Sequence, residues 1–366
     1  MAKAAFTYAA NPARILFGPG RLAELGIELD RLGCRSALIL STPEQAGLAE
    51  AVAVRLGAVA ASVYAGAAMH TPVAVTEDAL LHLRRLGCDS LVTIGGGSTI
   101  GLGKALALRT GLPQIAIPTT YAGSEMTPIL GETIDGRKTT QCSSMLLPAV
   151  VIYDVELTLT LPSMLSVVSG FNAIAHAVEA LYARDANPVV SLMAEEAISA
   201  LAQGLPGVVK DRADLSARGD AQYGAWLAGA CLGAVGMALH HKICHVLGGT
   251  FDLRHAETHT VMLPHVMAYN AAAAPDAMRR VARALGRADA ASSLFALARS
   301  LGAPASLREL GMPEDGIDQS VQQVMQDQYW NPRAPEAASL RGMVARAWVG
   351  APPHEDRAEK EEGCHA

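Results

Sequence analysis

The chain of 366 residues is poor in aromatic and charged side chains. Phe, Trp and Tyr make up 4 % of it, and Asp, Glu, Lys and Arg make up 17 %. Hydrophobic residues reach 51 %, a share that excludes a mainly disordered chain. Alanine, leucine, valine and glycine dominate, which favours helices packed closely on one another or on a sheet. The length allows two domains of ordinary size.

The sequence has no clustered stripe of Lys and Arg, and its net charge is −6. Nothing therefore indicates nucleic-acid binding. No run of about 18 uncharged apolar residues is present, which argues against a membrane span. The apolar segment 225–239 is short and is better explained by a buried helix. The N-terminal residues lack the apolar core of a signal peptide, so we expect a cytoplasmic protein.

The cysteines are scattered and have no CxxC spacing. They are Cys34, Cys88, Cys142, Cys231, Cys244 and Cys364. In a chain of this length without a leader, we expect reduced thiols that mostly serve as small buried side chains. Cys244 differs from the others because it lies inside a histidine-rich segment.

The first half of the chain alternates short apolar runs with helically spaced segments. The expected strands are residues 14–18, 36–41, 61–66, 90–97 and 113–120. The expected helices are residues 20–33, 44–57, 73–86 and 99–110. Repeated β-α-β units of this length predict a doubly wound parallel sheet.

After about residue 155, strand-like runs nearly vanish and long Ala/Leu-rich helical patterns follow. The expected helices are residues 163–183, 188–205, 219–249, 275–302 and 336–348. We therefore predict a nucleotide-binding α/β domain over residues 1–156 and an all-helical domain over residues 157–366.

Three consecutive glycines follow one expected strand and open the next helix. Gly95, Gly96 and Gly97 carry no Cβ, so the backbone can turn sharply and approach a ligand closely. The N–H groups at the start of the helix then attract a phosphate, and Ser98 adds a hydroxyl donor. A glycine-rich turn can also occur without a ligand, and this one is not the usual GxGxxG fingerprint.

Hydroxyl groups follow two other expected strands. Ser41 and Thr42 come after the second strand, and Thr119, Thr120 and Ser124 come after the fifth. Open parallel sheets bind ligands beyond the carboxyl ends of their strands. We therefore expect these residues to line the same dinucleotide crevice as the glycines.

Histidines are concentrated in one segment of the helical half. Five of the eleven fall within residues 238–259, namely His240, His241, His245, His255 and His259. His241 and His245 share a helix face, as do Asn172 and His176 on an earlier helix. One histidine on an apolar helix is usually a core residue, but burying several is costly unless they share a ligand, a metal or hydrogen bonds. The spacing therefore predicts a functional cluster.

Together these segments resemble the iron-containing alcohol dehydrogenase superfamily. The matching features are GGGS at 95–98, IPTT at 117–120, LTLTLP at 157–162 and the fourteen-residue spacing of His241 and His255. The resemblance implies a dehydroquinate synthase-like fold with the active site in the cleft between an α/β domain and an all-helical domain. It also implies that His245 lies near the nicotinamide.

One departure from the superfamily concerns its metal. The family's ligand positions match Asn172, His176, His241 and His255, and the first of these is an aspartate in the family. A neutral amide removes a charge that would stabilise Fe²⁺ or Zn²⁺, although three imidazoles alone can still hold zinc.

The asparagine, the MHTP segment at 69–72 and the YWNPRAP segment at 329–335 are similar to the maleylacetate reductase family. That resemblance implies NADH or NADPH as cofactor and no required metal. The implied reaction is reduction of the carbon–carbon double bond of maleylacetate, or a substituted maleylacetate, to 3-oxoadipate in aromatic-compound degradation.

The expected substrate is a dicarboxylate, and hydride addition to it places negative charge on its ketone oxygen. The catalytic candidates are His176, His241, His245 and His255, and the substrate-binding candidates are Asn172, Tyr121 and Arg333. With no carboxylate at position 172, we expect the histidines to become cationic more readily and to pair with the enolate or the substrate carboxylates. No acidic residue follows Ser41 and Thr42 before Glu44, which leaves NADPH possible beside NADH.

Two other functions fit parts of the pattern. One is a metal-dependent alcohol dehydrogenase that acts on a small alcohol or polyol, against which Asn172 argues. The other is a dinucleotide-binding protein without catalysis, against which the intact histidine cluster argues. In each case we expect a homodimer that binds neither nucleic acid nor a membrane.

Overall fold

In a computed structural model of the chain, the described residues are 5–8, 10, 14–134, 137–326 and 329–354. The strands are β1 (Arg14–Gly18), β2 (Ala37–Leu40), β3 (Ala60–Tyr64), β4 (Ser90–Gly95), β5 (Gln114–Pro118), β6 (Ile129–Ile134), β7 (Arg137–Cys142) and β8 (Val150–Asp154). Six of them form a parallel sheet in the order β1-β8-β5-β4-β2-β3, and β6 and β7 pair as an antiparallel hairpin.

Helices cover both faces of the sheet. They are α1 (Leu25–Arg31), α2 (Ala46–Leu56), α3 (Val73–Leu86) and α4 (Gly97–Thr110). Val92 of β4 packs in one core with Leu29 and Val52 of α1 and α2. Its neighbour Leu91 points to the opposite core with Leu83 of α3 and residues of α4. Successive side chains of a strand point to opposite faces, so a sheet buried on both sides needs a continuous apolar strand. The predicted doubly wound domain is confirmed.

The rest of the described chain is helical. The helices are α5 (Ser163–Leu181), α6 (Pro188–Lys210), α7 (Leu215–Ala234), α8 (Leu239–Phe251), α9 (His255–Asn270), α10 (Pro275–Ala284), α11 (Ala290–Ser300), α12 (Gly316–Gln326) and α13 (Ala337–Val349). Helix α5 is long and apolar enough to cross a membrane, as is the bent pair α7 and α8, but 83 % of the apolar window of α5 is buried inside the protein. It is therefore placed as the core helix of a folded domain, and the predicted all-helical second half is confirmed.

The predicted single helix over residues 219–249 is wrong. The segment forms α7 and α8, which meet at an angle of 97°. At the break, the backbone N–H of Gly236 donates to Asp185 Oδ1 at 3.0 Å, and that of Ala238 donates to Glu179 Oε2 at 3.0 Å. These two carboxylates accept hydrogen bonds from the backbone N–H groups just before α8, which would otherwise lack partners. The chain can therefore begin a new helix in another direction.

The predicted helix over residues 275–302 is also two helices. Gly286 follows α10 with φ of 62°, a left-handed conformation that ends a helix. Asp289 then caps α11 by accepting a hydrogen bond from the Ser292 N–H at 2.6 Å. The sequence patterns predicted no element at β8, at the β6–β7 hairpin, at α9 or at α12. Helix α9 lacks an amphipathic pattern because nearly all of its residues are buried.

Candidate active site

The glycine turn connects β4 to α4. Gly95 has φ of 156°, and a Cβ atom there would lie only 2.4 Å from Thr99 Oγ1 and 2.7 Å from Gln45 Oε1. Only glycine fits such a position without displacing its neighbours. Gly97 is exposed, and a Cβ there would meet nothing within 4 Å. No side chain caps the N-terminus of α4, so its N–H groups are available to an anion.

The loop after β5 lies directly against this turn. The backbone N–H of Thr119 donates to Gly95 O at 3.1 Å, and Gln45 Nε2 donates to Thr119 Oγ1 at 2.8 Å. A Cβ at Gly96 would lie 3.0 Å from Thr120 Cγ2. The structure thus brings the predicted glycines and threonines together at one edge of the sheet.

Several hydroxyls near this edge have no hydrogen-bond partner. The Oγ atoms of Ser41 and Ser124 and the Oγ1 of Thr99 are buried and unpaired. Ser41 follows β2, which pairs with β4, whereas Thr42 and Ser98 are half-buried beside the same strand ends. Buried polar groups are normally hydrogen-bonded. Unpaired hydroxyls beside a helix N-terminus therefore fit a polar, phosphate-bearing cofactor such as NADH or NADPH.

The predicted histidine cluster is assembled from three helices. Helix α5 carries Asn172 and His176, α8 carries His241 and His245, and α9 begins at His255. The rings of His176 and His241 stack with centroids 5.1 Å apart. The His245 ring meets that of His241 edge-on at 6.2 Å and stacks on that of His255 at 5.9 Å, centroid to centroid. His245 and His255 are exposed, whereas Asn172, His176 and His241 are buried. The cluster therefore has an open mouth and a buried base.

One contact joins the cluster to the cofactor crevice. Gly123, in the loop that carries Thr119 and Thr120, has φ of 76°, and a Cβ there would lie 3.6 Å from His176 Nδ1 and 3.0 Å from Gly229 Cα. The loop that touches the glycine turn thus also touches the base of the imidazole cluster. The two predicted halves of the site are contiguous.

Glu179 is a residue of the site that sequence analysis did not identify. It lies one turn after His176 and is fully buried. Its carboxylate accepts a hydrogen bond from His241 Nδ1 at 2.6 Å and from the backbone N–H groups of Ala238 and His240 at 3.0 and 2.8 Å. Burial alone would raise the pKa of this carboxyl, but hydrogen bonding from His241 and the nearby imidazoles lower it. An ionised Glu179 thus fixes the His241 ring with Nε2 turned away from it.

The expectation that the histidines become cationic more readily is wrong for His176. Burial, followed by the neighbouring imidazoles, lowers its pKa well below the ordinary value. The same causes lower the pKa of His259, and burial lowers that of His240 to about 3. These deep imidazoles are neutral near pH 7, because charge at the base of the cluster would be both desolvated and repelled.

The four positions that match the family's metal ligands do not fit an ion well. Asn172 Oδ1, His176 Nδ1 and His241 Nε2 are buried without partners, so the base of the site has room for hydrogen bonds. However, the set consists of one amide and three imidazoles and contains no carboxylate that would offset the charge of an ion. An uncharged donor set disfavours a divalent iron.

Two predicted substrate contacts lie in other surroundings. Tyr121 is buried in the core of the helical half, with its hydroxyl 3.5 Å from Arg218 Nη1. Arg333 lies over the ring of Tyr269 at 4.1 Å and donates to Tyr269 O and Ser339 Oγ. No described contact brings either residue to the imidazoles, so their roles toward a substrate stay predictions.

His240 and His259 belong to the predicted histidine cluster and Cys244 lies within it, but none of the three was predicted to have a catalytic or binding role of its own. All three are buried behind His241, and the His259 ring lies 4.2 Å from that of His255 and 4.9 Å from that of His241. The sequence shows that His240 and Cys244 are four residues apart on one helix, α8. It does not show that α9 brings His259 against them, because that contact depends on how two helices pack.

Comparisons with known proteins agree with this architecture. Residues 12–155 match the model of the iron-containing alcohol dehydrogenase family, and residues 166–348 match that of the C-terminal domain of the Fe-containing alcohol dehydrogenase family. Maleylacetate reductases from Sphingobium indicum and a Rhizobium species are each 53 % identical over 348 residues, which cover 95 % of this chain and 99 % of the relative.

Solved structures give the same result. Maleylacetate reductase from Agrobacterium tumefaciens has a TM-score of 0.94 and 53 % identity, covering 96 % of this chain and 100 % of its own. An iron-containing alcohol dehydrogenase from Corynebacterium glutamicum has a TM-score of 0.91 and 39 % identity, covering 97 % and 99 %. The chain therefore belongs to the iron-containing alcohol dehydrogenase family and, within it, to the maleylacetate reductases.

Proposed function

We propose that this enzyme uses NADH or NADPH to reduce the carbon–carbon double bond of maleylacetate, or of a substituted maleylacetate, to 3-oxoadipate. The observation that carries the proposal is an imidazole pocket beside the glycine turn, with asparagine rather than aspartate at position 172. The similarity to maleylacetate reductases over almost the whole chain supports the choice of substrate.

The crevice residues suit the cofactor. The α4 N-terminus with Gly95 to Gly97 and Ser98 would hold the pyrophosphate, and Ser41, Thr42, Thr119, Thr120 and Ser124 would supply hydroxyls around it. When bound, the reduced nicotinamide supplies a hydride. Since no acidic side chain follows β2 before Glu44, we expect both the 2′-hydroxyl and the 2′-phosphate forms to be accepted.

The substrate carries two carboxylates and a ketone conjugated to the alkene. Hydride addition to the alkene carbon remote from the ketone moves negative charge to the ketone oxygen, and a proton must then reach the carbon between them. Asn172 and the imidazoles at the base of the pocket offer hydrogen-bond donors for that oxygen, which is the main way a site stabilises developing charge. The exposed His245 and His255 lie where substrate carboxylates enter.

His241 is the residue best placed to donate a hydrogen bond to the enolate oxygen. Its Nδ1–H is held by Glu179 at 2.6 Å, and its Nε2 has no partner. A buried carboxylate in this position orients the ring and stabilises the imidazolium form, as in other carboxylate–histidine pairs. We assign to His241, as an imidazolium with a proton on each ring nitrogen, the donation of a hydrogen bond from Nε2–H to the enolate oxygen, and to His245 the delivery of the proton to carbon.

We further propose that no metal ion takes part in the hydride transfer. Asn172 brings no charge, and the ionised carboxylate of the site, Glu179, already bonds His241 and two backbone N–H groups. Hydrogen-bond donors, rather than a metal ion, then stabilise the negative charge that develops on the ketone oxygen.

Product analysis tests the reaction. Maleylacetate is incubated with NADH or NADPH that carries deuterium at the transferable position, and the product is identified by mass spectrometry. We expect 3-oxoadipate with one deuterium on the carbon that was remote from the ketone. A hydroxy diacid would contradict alkene reduction. Oxidation of a simple alcohol that needs added Fe²⁺ or Zn²⁺ would favour an alcohol dehydrogenase, and cofactor binding without turnover would favour a non-catalytic protein.

The setting of the enzyme is a further part of the proposal. We expect it to act in the cytoplasm as a homodimer without nucleic-acid or membrane partners. Sedimentation of the purified protein tests the dimer, and a monomer at assay concentration would contradict it.

A further inference from the structure

A second group of ligating side chains lies behind the catalytic imidazoles. His240 and Cys244 are one turn apart on α8, and His259 faces them from α9. All three are at most 1 % exposed. Within the described part of the chain, they form the one group of three His, Cys, Asp or Glu residues whose ligand atoms all lie within 4.8 Å of one another.

We infer that His240, Cys244 and His259 bind a divalent cation that prefers imidazole and thiolate ligands, of which Zn²⁺ is the commonest. None of the three residues belongs to the four positions that match the family's metal ligands. The inference does not require the proposed reaction, because none of the three residues is one of its proposed catalytic groups.

The spacing of the atoms supports such a site. His240 Nε2 lies 3.0 Å from His259 Nδ1 and 3.8 Å from Cys244 Sγ. Tetrahedral zinc with bonds of about 2.0 Å to nitrogen and about 2.3 Å to sulfur needs separations of roughly 3.3 and 3.6 Å. Each of these two separations is within a few tenths of an ångström of that geometry, and the ligand atoms of Cys244 and His259 lie within 4.8 Å of each other, which leaves a fourth position for water.

The donor set selects the class of ion. Two imidazoles and one thiol, without a carboxylate, suit zinc and its neighbours in the transition series and exclude Mg²⁺ and Ca²⁺, which require oxygen ligands. On binding, the thiol proton of Cys244 is released and its sulfur donates an electron pair to the ion. The oxidation state of the metal does not change, so no further reactant is needed.

The surroundings provide charge compensation and a route of entry. The ion and one thiolate carry a net single positive charge, and the ionised Glu179 lies beside them, accepting the backbone N–H of His240 at 2.8 Å. The exposed His255 lies 4.2 Å, centroid to centroid, from the His259 ring, so the site borders the open mouth of the cluster.

An ion at this site would hold two helices together and would fix the tautomer of His259. It would join α8 to α9, the two helices that carry His241 and His255. With Nδ1 of His259 on the metal, its proton must sit on Nε2, which is buried without a partner. The metal would thus fix the tautomer of His259, whose ring contacts those of His241 and His255.

Cobalt spectroscopy tests the site. The full-length enzyme is reduced, stripped with a chelator and titrated with Co²⁺ in the absence of cofactor. We expect one equivalent to produce a thiolate-to-cobalt charge-transfer band in the near ultraviolet. The band should be lost in Cys244→Ser and kept in Cys231→Ser, which alters a buried thiol of the helical core that donates to the Val190 carbonyl.

A third variant separates this site from the family position. His176→Ala removes one of the four family positions and none of the three inferred ligands, so the band should persist. Absence of a band in the wild type, persistence in Cys244→Ser, or loss in His176→Ala would each overturn the inference.

Thermal unfolding gives a second measurement, which does not rely on the thiolate absorption band. Added Zn²⁺ should raise the Tm of the stripped wild type by a few degrees, because an ion that binds only the folded state stabilises it. His259→Asn should abolish this increase even if its own Tm is lower. An equal increase in wild type and variant would overturn the site.

Discussion

The Nδ1 atom of His241 lies 2.6 Å from Oε2 of Glu179, and both side chains are buried. The same carboxylate accepts the N–H groups of Ala238 and His240, at the start of α8. One residue therefore sets both the direction of the helix that carries the catalytic imidazoles and the orientation of one of them. This arrangement links the fold to the proposed chemistry.

Replacing Glu179 by glutamine should slow turnover strongly. An amide retains the volume and one acceptor oxygen but cannot stabilise the imidazolium form of His241. We expect kcat to fall by about 10²-fold, the usual contribution of a positioned acid–base group. Steady-state kinetics with maleylacetate measure this change. Glu257→Gln is the matched control, because Glu257 pairs with the exposed Arg254 and should keep kcat close to wild type. Wild-type kcat in Glu179→Gln would refute the role of the pair.

Asn172→Asp should create a metal site at the family position. The carboxylate would add charge to the neutral donor set of His176, His241 and His255. We expect Zn²⁺ or Fe²⁺ affinity to rise by roughly tenfold or more, equivalent to about 1.4 kcal/mol. Titration against a competing chelator, in a Cys244→Ser background so that the inferred second site does not contribute, measures the change. Unchanged affinity would count against the placement of Asn172 at that position.

Gly97→Ala should weaken cofactor binding without affecting folding. A Cβ at Gly97 meets nothing within 4 Å, so the Tm should stay near that of wild type. The same Cβ would approach a phosphate bound at the α4 N-terminus, and we expect KM for NADH and NADPH to rise by about tenfold. Gly47→Ala, at another helical glycine with open space, is the control. Equal KM values in all three proteins would place the phosphate elsewhere.

Acid should destabilise the protein through its buried histidines. Burial, with a contribution from Arg346, lowers the pKa of His265 from 6.5 to about 4. In that interval the unfolded chain binds a proton and the folded chain does not, so stability present above pH 6.5 is lost as the pH falls toward 4. This group alone contributes a slope of up to about 1.4 kcal/mol per pH unit.

The change is measured by denaturant unfolding of wild type and His265→Gln between pH 7 and 4. The variant should lose stability less steeply, whatever its starting value. Parallel curves would show that His265 takes up its proton in the folded state as readily as in the unfolded one.

Much of the fold follows from local pattern. Strand β2 is a continuous apolar run and β4 a mostly apolar one because both of their faces are covered, and the glycines after β4 mark the turn into α4. The histidines at i, i+4 spacing on α8 identify the cluster, since this spacing is set by a single helix.

Features that depend on distant residues did not follow from the sequence. The chain bends before α8 because Asp185 and Glu179 accept N–H groups at Gly236 and Ala238, and neither carboxylate belongs to the segment that bends. His259 reaches His240 only because α9 packs against α8 at one particular angle. Likewise, the low pKa of His176 arises from burial under other helices rather than from its neighbours in sequence.

In the proposed mechanism, His241 stabilises the enolate oxygen formed by hydride addition, and no carboxylate-bound metal ion is needed for this. The most direct test is kcat/KM for maleylacetate with chelator-stripped wild type and chelator-stripped His241→Ala, each with NADH and its metal content checked. We expect the stripped wild type to retain its rate and the variant to lose about 10²-fold or more. A wild-type rate that disappears on stripping and returns with Fe²⁺, together with little loss in His241→Ala, would contradict the account.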